Sequence, residues 1–239
     1  MRRILILFPF ILMHSLLYAQ RHSIGLHAGV TNNGSSSNLE GRLYETRDRH
    51  WGKFLNVAYR YGINNKLELE SGISFLERNY GSHRTGVYQG IYSKTSNSFI
   101  NIPFKAVFRI LDIDKFSVKT SGGVYGGYWI AERVSGALPN ILNSQTGNNN
   151  AQGEQMLGLT YYCGKVAINS QTDNRFQLGG TGGVEMGLAF NRFIQVNLQC
   201  DGYYTLTCYK KRSSLPKKCQ RDSGFIISMG ALWYLSHGK

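Results

Sequence analysis

The residues with the most chemistry to offer are charges set inside otherwise apolar runs. Glu68 and Glu70 lie in KLELESGISF, Lys105 and Arg109 in FINIPFKAVFRI, Lys119 in KFSVKTSGG and Glu185 in GGTGGVEMG. On an extended chain, residues two apart share a face, so Glu68 and Glu70 stand together opposite Leu67, Leu69, Ile73 and Phe75. A hydrolytic site needs a nucleophile, a base and an acid that orients it. Ser71 and Ser74 stand close by, but no serine elbow accompanies them, and HExxH, a P-loop and a dinucleotide fingerprint are all missing from the sequence. GGTGGVEMG has the glycines of a phosphate cradle without a helix to follow it. Charges of both signs at such positions read instead as ion pairs packed into an interior.

The histidines add no catalytic pattern. His22 and His237 fall near the chain ends, His27 sits in an alternating run, and His50 and His83 are expected in loops. Four cysteines, Cys163, Cys200, Cys208 and Cys219, crowd the last third, with no CxxC and no histidine at zinc spacing, so neither a metal site nor a cofactor is expected. The remaining conspicuous stretch is KKRSSLPKKCQR, residues 210–221, which carries Lys210, Lys211, Arg212, Lys217, Lys218 and Arg221 and no acid. Such a run binds phosphate wherever it meets it.

The elements that place these residues follow one rule, a period of two. Ile24, Leu26, Ala28 and Val30 alternate with polar or small residues, and Leu55, Val57 and Tyr59 alternate with Asn56, Ala58 and Arg60. Six further runs behave alike, and no window shows helical periodicity. Short links at 63–66, at 111–115 and around Asn191 alternate with long ones at about 32–51, 80–96, 133–174 and 209–222. Eight strands with short turns at one end and long loops at the other make an all-β fold, an eight-stranded antiparallel up-and-down transmembrane β-barrel with long extracellular loops and short periplasmic turns. The six mid-strand charges, always opposite the apolar face, are then lumen charges. A soluble β-sandwich would show them as its solvated face. Tyr59, Tyr61, Tyr125, Tyr128, Trp129, Tyr203, Tyr204, Trp233 and Tyr234 are expected to form interfacial girdles, and the Gly-Gly pairs at 122–123, 126–127, 179–180 and 182–183 to thin a narrow lumen.

Arg2 and Arg3, an apolar run to Tyr18 and Ala19 before Gln20 form the pattern of a signal peptide over 1–19, leaving a barrel domain over 20–239. Export demotes nucleic acid as a partner of this +13 chain. The expected location is the bacterial outer membrane, with its lipids and lipopolysaccharide, or an envelope or extracellular protein, as partners. In that setting residues 210–221 form the tip of the last extracellular loop, facing the phosphates of the outer leaflet. Cys208 and Cys219 flank it, and a disulfide between them would close its base; Cys163 to Cys219 is the alternative pairing. The longest link contains NILNSQTGNNNAQG, whose amide-rich composition suits exposure and recognition. A non-enzymatic surface or envelope role through the loops is expected, against a lipid-modifying barrel enzyme.

The leader ending in Ala-Gln, the strand SFINIPFKAVFRI with its Ile-Pro, the Gly-rich SGGVYGGYWI and the final strand together resemble the PorT-type outer-membrane β-barrels of the Bacteroidetes. The resemblance implies a small barrel, assigns no activity, and links one relative to a protein secretion system. Asn101 stands where such proteins often carry an acid, and the chain ends LSHGK rather than on an aromatic residue.

Overall fold

A computed structural model describes residues 21–36, 45–86, 89–139, 159–169, 171–209 and 221–235. They form nine antiparallel strands: β1 (Arg21–Ser36), β2 (Glu45–Gly62), β3 (Leu67–Arg84), β4 (Tyr92–Ile113), β5 (Phe116–Pro139), β6 (Leu159–Val166), β7 (Phe176–Ala189), β8 (Ile194–Thr205) and β9 (Arg221–Tyr234). Eight of them close a ring. Each pairs with the next in sequence, β9 returns to β1, and β6 stands aside. β7 pairs with Phe116–Tyr128 of β5, whereas β6 takes over the same edge at Glu132–Pro139. The sequence reading placed β6 in a loop, because LTYYCGKV is short and its residues are exposed on both faces.

The short links form as their residues dictate. In the 63–66 turn, Asn64 Oδ1 accepts hydrogen bonds from the backbone N–H of Lys66 and Leu67, each at 2.8 Å. Asn191 does the same for Phe193 and Ile194, also at 2.8 Å. An Asn side chain mimics a backbone turn in this way. The β4–β5 hairpin turns at Asp114, whose φ of 48° is one that Asp tolerates better than most residues.

Three of the four long links are shorter than the sequence suggests. β1 runs on to Ser36 and β2 begins at Glu45, β3 and β4 leave only 85–91 between them, and β5 continues to Pro139. Crossing a bilayer needs about 9–11 tilted residues, so strands of 16 to 24 residues overshoot it on the long-loop side. Their polar outer residues there hid the strands from a search for apolar alternation. The sequence put His50 and His83 in loops; both lie on these extensions.

Alternation sorts the side chains. Ile24, Leu26, Leu55, Val57, Ile73, Ile102, Phe104, Val124, Met186, Leu198 and Met229 point outward and are exposed, while polar residues of opposite parity are buried. An exterior belt of large apolar groups around a polar interior is stable only in lipid. Among the described residues no helix is long and apolar enough to cross a membrane, so the strands do so. Tyr59, Tyr128, Tyr204 and Trp233 stand exposed on the belt, as girdle residues do. Tyr125, Trp129 and Tyr203 are buried in the interior instead, a correction that their odd numbering already implied. The glycine pairs are corrected too, since a pair must present one member to each face. Gly123 and Gly183 face the lumen, where a Cβ would collide with Lys105 or Asp201, but Gly122, Gly180 and Gly182 face outward.

Phe104 pairs with Val124 in mid-belt. Phe104→Lys should lower stability by about 2–4 kcal/mol and Lys53→Gln, at the extracellular rim, by under about 1 kcal/mol, measured by denaturant unfolding in lipid vesicles. Equal effects at the two positions would show that Phe104 does not face lipid.

Candidate functional site

The lumen holds two layers of side chains. The layer nearer the short turns is ionic. Arg60 on β2 donates Nε–H to Glu70 on β3 at 2.6 Å and its two terminal nitrogens to Glu185 on β7 across the barrel. Lys105 bridges Asp201 at 2.8 Å and Glu70 at 3.3 Å. Lys119 and Arg109 both reach Glu68, at 3.0 and 3.2 Å. Four cations thus meet Glu68, Glu70, Glu185 and Asp201, and Arg60, Lys119, Glu70 and Glu185 are each at most 3% exposed. A water-filled passage past these groups would leave them accessible, so the lumen is closed here.

Register explains the meeting. Arg60 sits opposite Glu70 on β2–β3, Glu70 opposite Lys105 on β3–β4, and Lys119 opposite Glu185 on β5–β7. Cross-strand neighbours of opposite charge then form a ladder running round the wall. The six expected lumen charges, Glu68, Glu70, Lys105, Arg109, Lys119 and Glu185, are therefore brought into one network. Arg60 and Asp201, which hold it together, were missed as members. Both share parity with the buried polar residues of their strands, which is the signal that would have found them.

The upper layer is aromatic and surrounds a single buried cation. Arg78 lies 4.3 Å from the ring centre of Phe99 and 5.0 Å from that of Tyr203. It donates to Gln177 at 2.7 Å and Thr205 at 3.1 Å and pairs with Asp222 at 3.7 Å. Trp129 stacks against Phe99, Tyr209 lies tilted to it with ring centres 6.1 Å apart, and the Tyr209 hydroxyl donates to Asp222. Arg78 was missed because the expected strand ended at Phe75. Between the layers lies a cavity of about 30 Å³ that reaches Asn56, Asn101 and Lys105, with space for little more than a water or two.

The other candidate residues are scattered. Among the described residues no group of three metal-ligating side chains forms. His27 is buried in the lumen beside Gly230, His22 bonds the Tyr59 hydroxyl at 2.6 Å, and His83 pairs with Asp48 at 2.6 Å on the extracellular extension. Among the described residues no serine or cysteine nucleophile is bonded to any of the three. Of the basic loop set, Arg221 is exposed at the start of β9; Lys210, Lys211, Arg212, Lys217 and Lys218 lie outside the described residues, as do the leader, His237 and NILNSQTGNNNAQG. Cys208 is disulfide-bonded, Cys163 and Cys200 are free thiols, and Cys219 lies outside the described residues. A free Cys163 removes the alternative pairing.

Two measurements probe these arrangements. Arg60→Met strands Glu70 and Glu185 in a dry interior and should cost about 3–5 kcal/mol in vesicle unfolding, much of it recovered by adding Glu70→Gln and Glu185→Gln; a loss below about 1 kcal/mol would mean water reaches both acids. Non-reducing peptide mapping should return Cys208 cross-linked and Cys163 and Cys200 alkylated. Alkylated Cys208 would contradict the bond.

No protein-family model matches the chain, and no curated protein matches it in sequence. Solved structures similar to it include the outer membrane protein OprG from Pseudomonas aeruginosa, at 12% identity and TM-score 0.46, covering 91% of this chain and 97% of that one. The outer membrane protease OmpT from Escherichia coli is 9% identical with TM-score 0.42, covering 90% and 96%. Neisserial surface protein A is 14% identical with TM-score 0.40, covering 88% and 96%. Likenesses this distant carry no functional argument. The closed ring, the lipid-facing belt and the one-sided turns are the chain's own, and they make it an eight-stranded β-barrel of the bacterial outer membrane.

Proposed function

We propose that this barrel is a non-enzymatic envelope protein that binds anionic glycolipid, lipopolysaccharide in chemical class, at its extracellular end. The observation that carries the reading is a charge asymmetry. Arg49, Lys53, Lys94, Arg133, Lys165 and Arg221 are exposed at the extracellular end, whereas the exposed acids among the described residues, Asp112 and Asp114, sit at a periplasmic hairpin. At the extracellular end Asp173 and Asp222 are buried and Asp48, Glu77 and Glu132 half-buried, so its cations exceed its accessible acids, while the periplasmic turns set Lys66, Lys115 and Arg192 beside their two acids. Lys210, Lys211, Arg212, Lys217 and Lys218 join the same end in sequence. Each basic residue near an anionic surface contributes on the order of 1 kcal/mol, so such a rim holds phosphate without any catalytic group. The closed lumen turns the search for function outward, away from transport. The PorT-type resemblance rests on strand motifs and adds no activity to this reading.

A second reading has one observation in its favour. Among the described strands β6 pairs only with β5, and Tyr161 on it is 70% exposed, a geometry that suits an extended segment of an envelope or extracellular protein adding along the strand edge.

Replacing Lys210, Lys211, Arg212, Lys217, Lys218 and Arg221 with Gln should weaken binding of lipopolysaccharide to the purified barrel, with the deficit shrinking as salt rises. Lipopolysaccharide recovered from the wild-type protein should keep its mass. Unchanged affinity at low salt, or a lost acyl or phosphate group, would overturn the proposal.

A further inference from the structure

The lipid-facing wall contains a recess that the fold does not require. Gly182 on β7 lies opposite Gly122 on β5 and Gly202 on β8, and Gly180 lies two residues along β7. All four face outward, where their neighbours carry Val124, Val184 and Leu198. A Cβ added at Gly202 or Gly180 would meet its nearest atoms at 3.7 and 3.9 Å, ordinary contact, and one at Gly122 would meet nothing within 4 Å. Larger side chains would fit at these three, so protein packing does not explain them, whereas a Cβ at Gly182 would press on the Ser121 carbonyl oxygen at 3.2 Å.

Gly180, Gly182 and Gly202 floor a groove of about 580 Å³, walled by Tyr204, Leu206 and Phe225 and entered beside Arg49. Trp51 holds Phe225 edge-on at 5.9 Å. Arg221 donates to the Tyr204 hydroxyl at 3.4 Å, which sets a second exposed guanidinium near the entrance. Gly202 lies in the last third of β8 and Gly180 in the first half of β7, so the groove opens in the extracellular half of the belt. No acid is among its lining residues.

We infer that this groove seats one lipid of the outer leaflet, a phosphorylated, multiply acylated glucosamine of the lipid A type, with an acyl chain over the glycine floor and a phosphate between Arg49 and Arg221. The charge and the position decide the occupant. Two guanidiniums at an apolar trough match an anionic head joined to a hydrocarbon tail, and the trough faces the outer leaflet rather than the inner one. Exposed backbone over Gly180, Gly182 and Gly202 lets a tail approach closely, gaining dispersion contacts that a bulkier wall would block. The inference deepens the glycolipid reading above by giving the lipid portion a place separate from the basic loop.

The full-length protein can be placed in nanodiscs of phosphatidylcholine with a small fraction of lipid A, and the lipid A retained per barrel counted by native mass spectrometry. Wild-type protein should retain lipid A, and an excess of phosphatidylglycerol should not displace it. Gly180→Leu with Gly202→Leu should reduce retention by about tenfold, and Arg49→Gln by about fivefold, the effect of one charge at an anionic surface. A band shift on unboiled gels checks that the filled barrel folds; if it does not, Arg49→Gln decides. Equal retention by wild type and the filled or Arg49→Gln variants, or displacement by phosphatidylglycerol, overturns the inference. The basic-loop variant separates the two readings. With Lys210, Lys211, Arg212, Lys217 and Lys218 changed to Gln and the groove intact, retention should persist; loss there alone would leave the rim reading standing and sink the groove.

Discussion

Everything inside this barrel depends on the Arg60 guanidinium finding Glu70 and Glu185 at once. An eight-stranded ring has an interior just wide enough for side chains, so any charge that points inward loses its water. Such a charge is tolerable only if a partner replaces the solvent, and Arg60 answers two acids from opposite walls. Its planar fork suits that duty better than a lysine would, because one face of the fork serves Glu185 bidentately while Nε–H serves Glu70. Lys105 and Lys119 then settle the remaining acids, so opposite signs balance layer by layer.

Above the ions, the same problem has a different solution. Arg78 keeps one distant acid, Asp222, and is held mainly by the faces of Phe99, Tyr125 and Tyr203 and by neutral acceptors. Aromatic rings there also exclude water from the mouth of the barrel. Tyr209, which follows β8 rather than belonging to it, completes the layer by packing on Trp129 and bonding Asp222. The neighbouring Cys208 is disulfide-bonded, so the segment that supplies Tyr209 is tied down where it leaves the sheet.

A sealed interior leaves the outside as the working surface. Strands that outrun the bilayer raise a collar on one side, and its exposed charges are predominantly basic. Within the belt, apolar side chains surround the barrel except where outward glycines lower the wall beneath that collar. Both features suit the proposed contact with an anionic amphiphile, and neither needs a lumen.

The sequence by itself determined the class of fold, because alternation of Leu55, Val57 and Tyr59 with Asn56, Ala58 and Arg60 is a local property of extended chain and survives without knowledge of partners. It also determined polarity, since Asn64 and Asn191 make their turns from their own side chains. Strand lengths were not legible: once β3 leaves the belt, residues such as Asn79, Gly81 and His83 lose the apolar contrast that lipid imposes. Nor was β6, which lies along the edge of β5 that β7 leaves free and whose residues are mostly exposed. The facing of Tyr125 and Trp129 followed from parity once Lys119 was placed inward, but their union with Arg78 did not. Only ring closure decided which charges meet, because Arg60 and Glu185 stand 125 residues apart and face each other only when the sheet returns on itself. The level of the outward glycines was fixed the same way, by pairing register across β5, β7 and β8, a quantity set between strands and absent from any one of them.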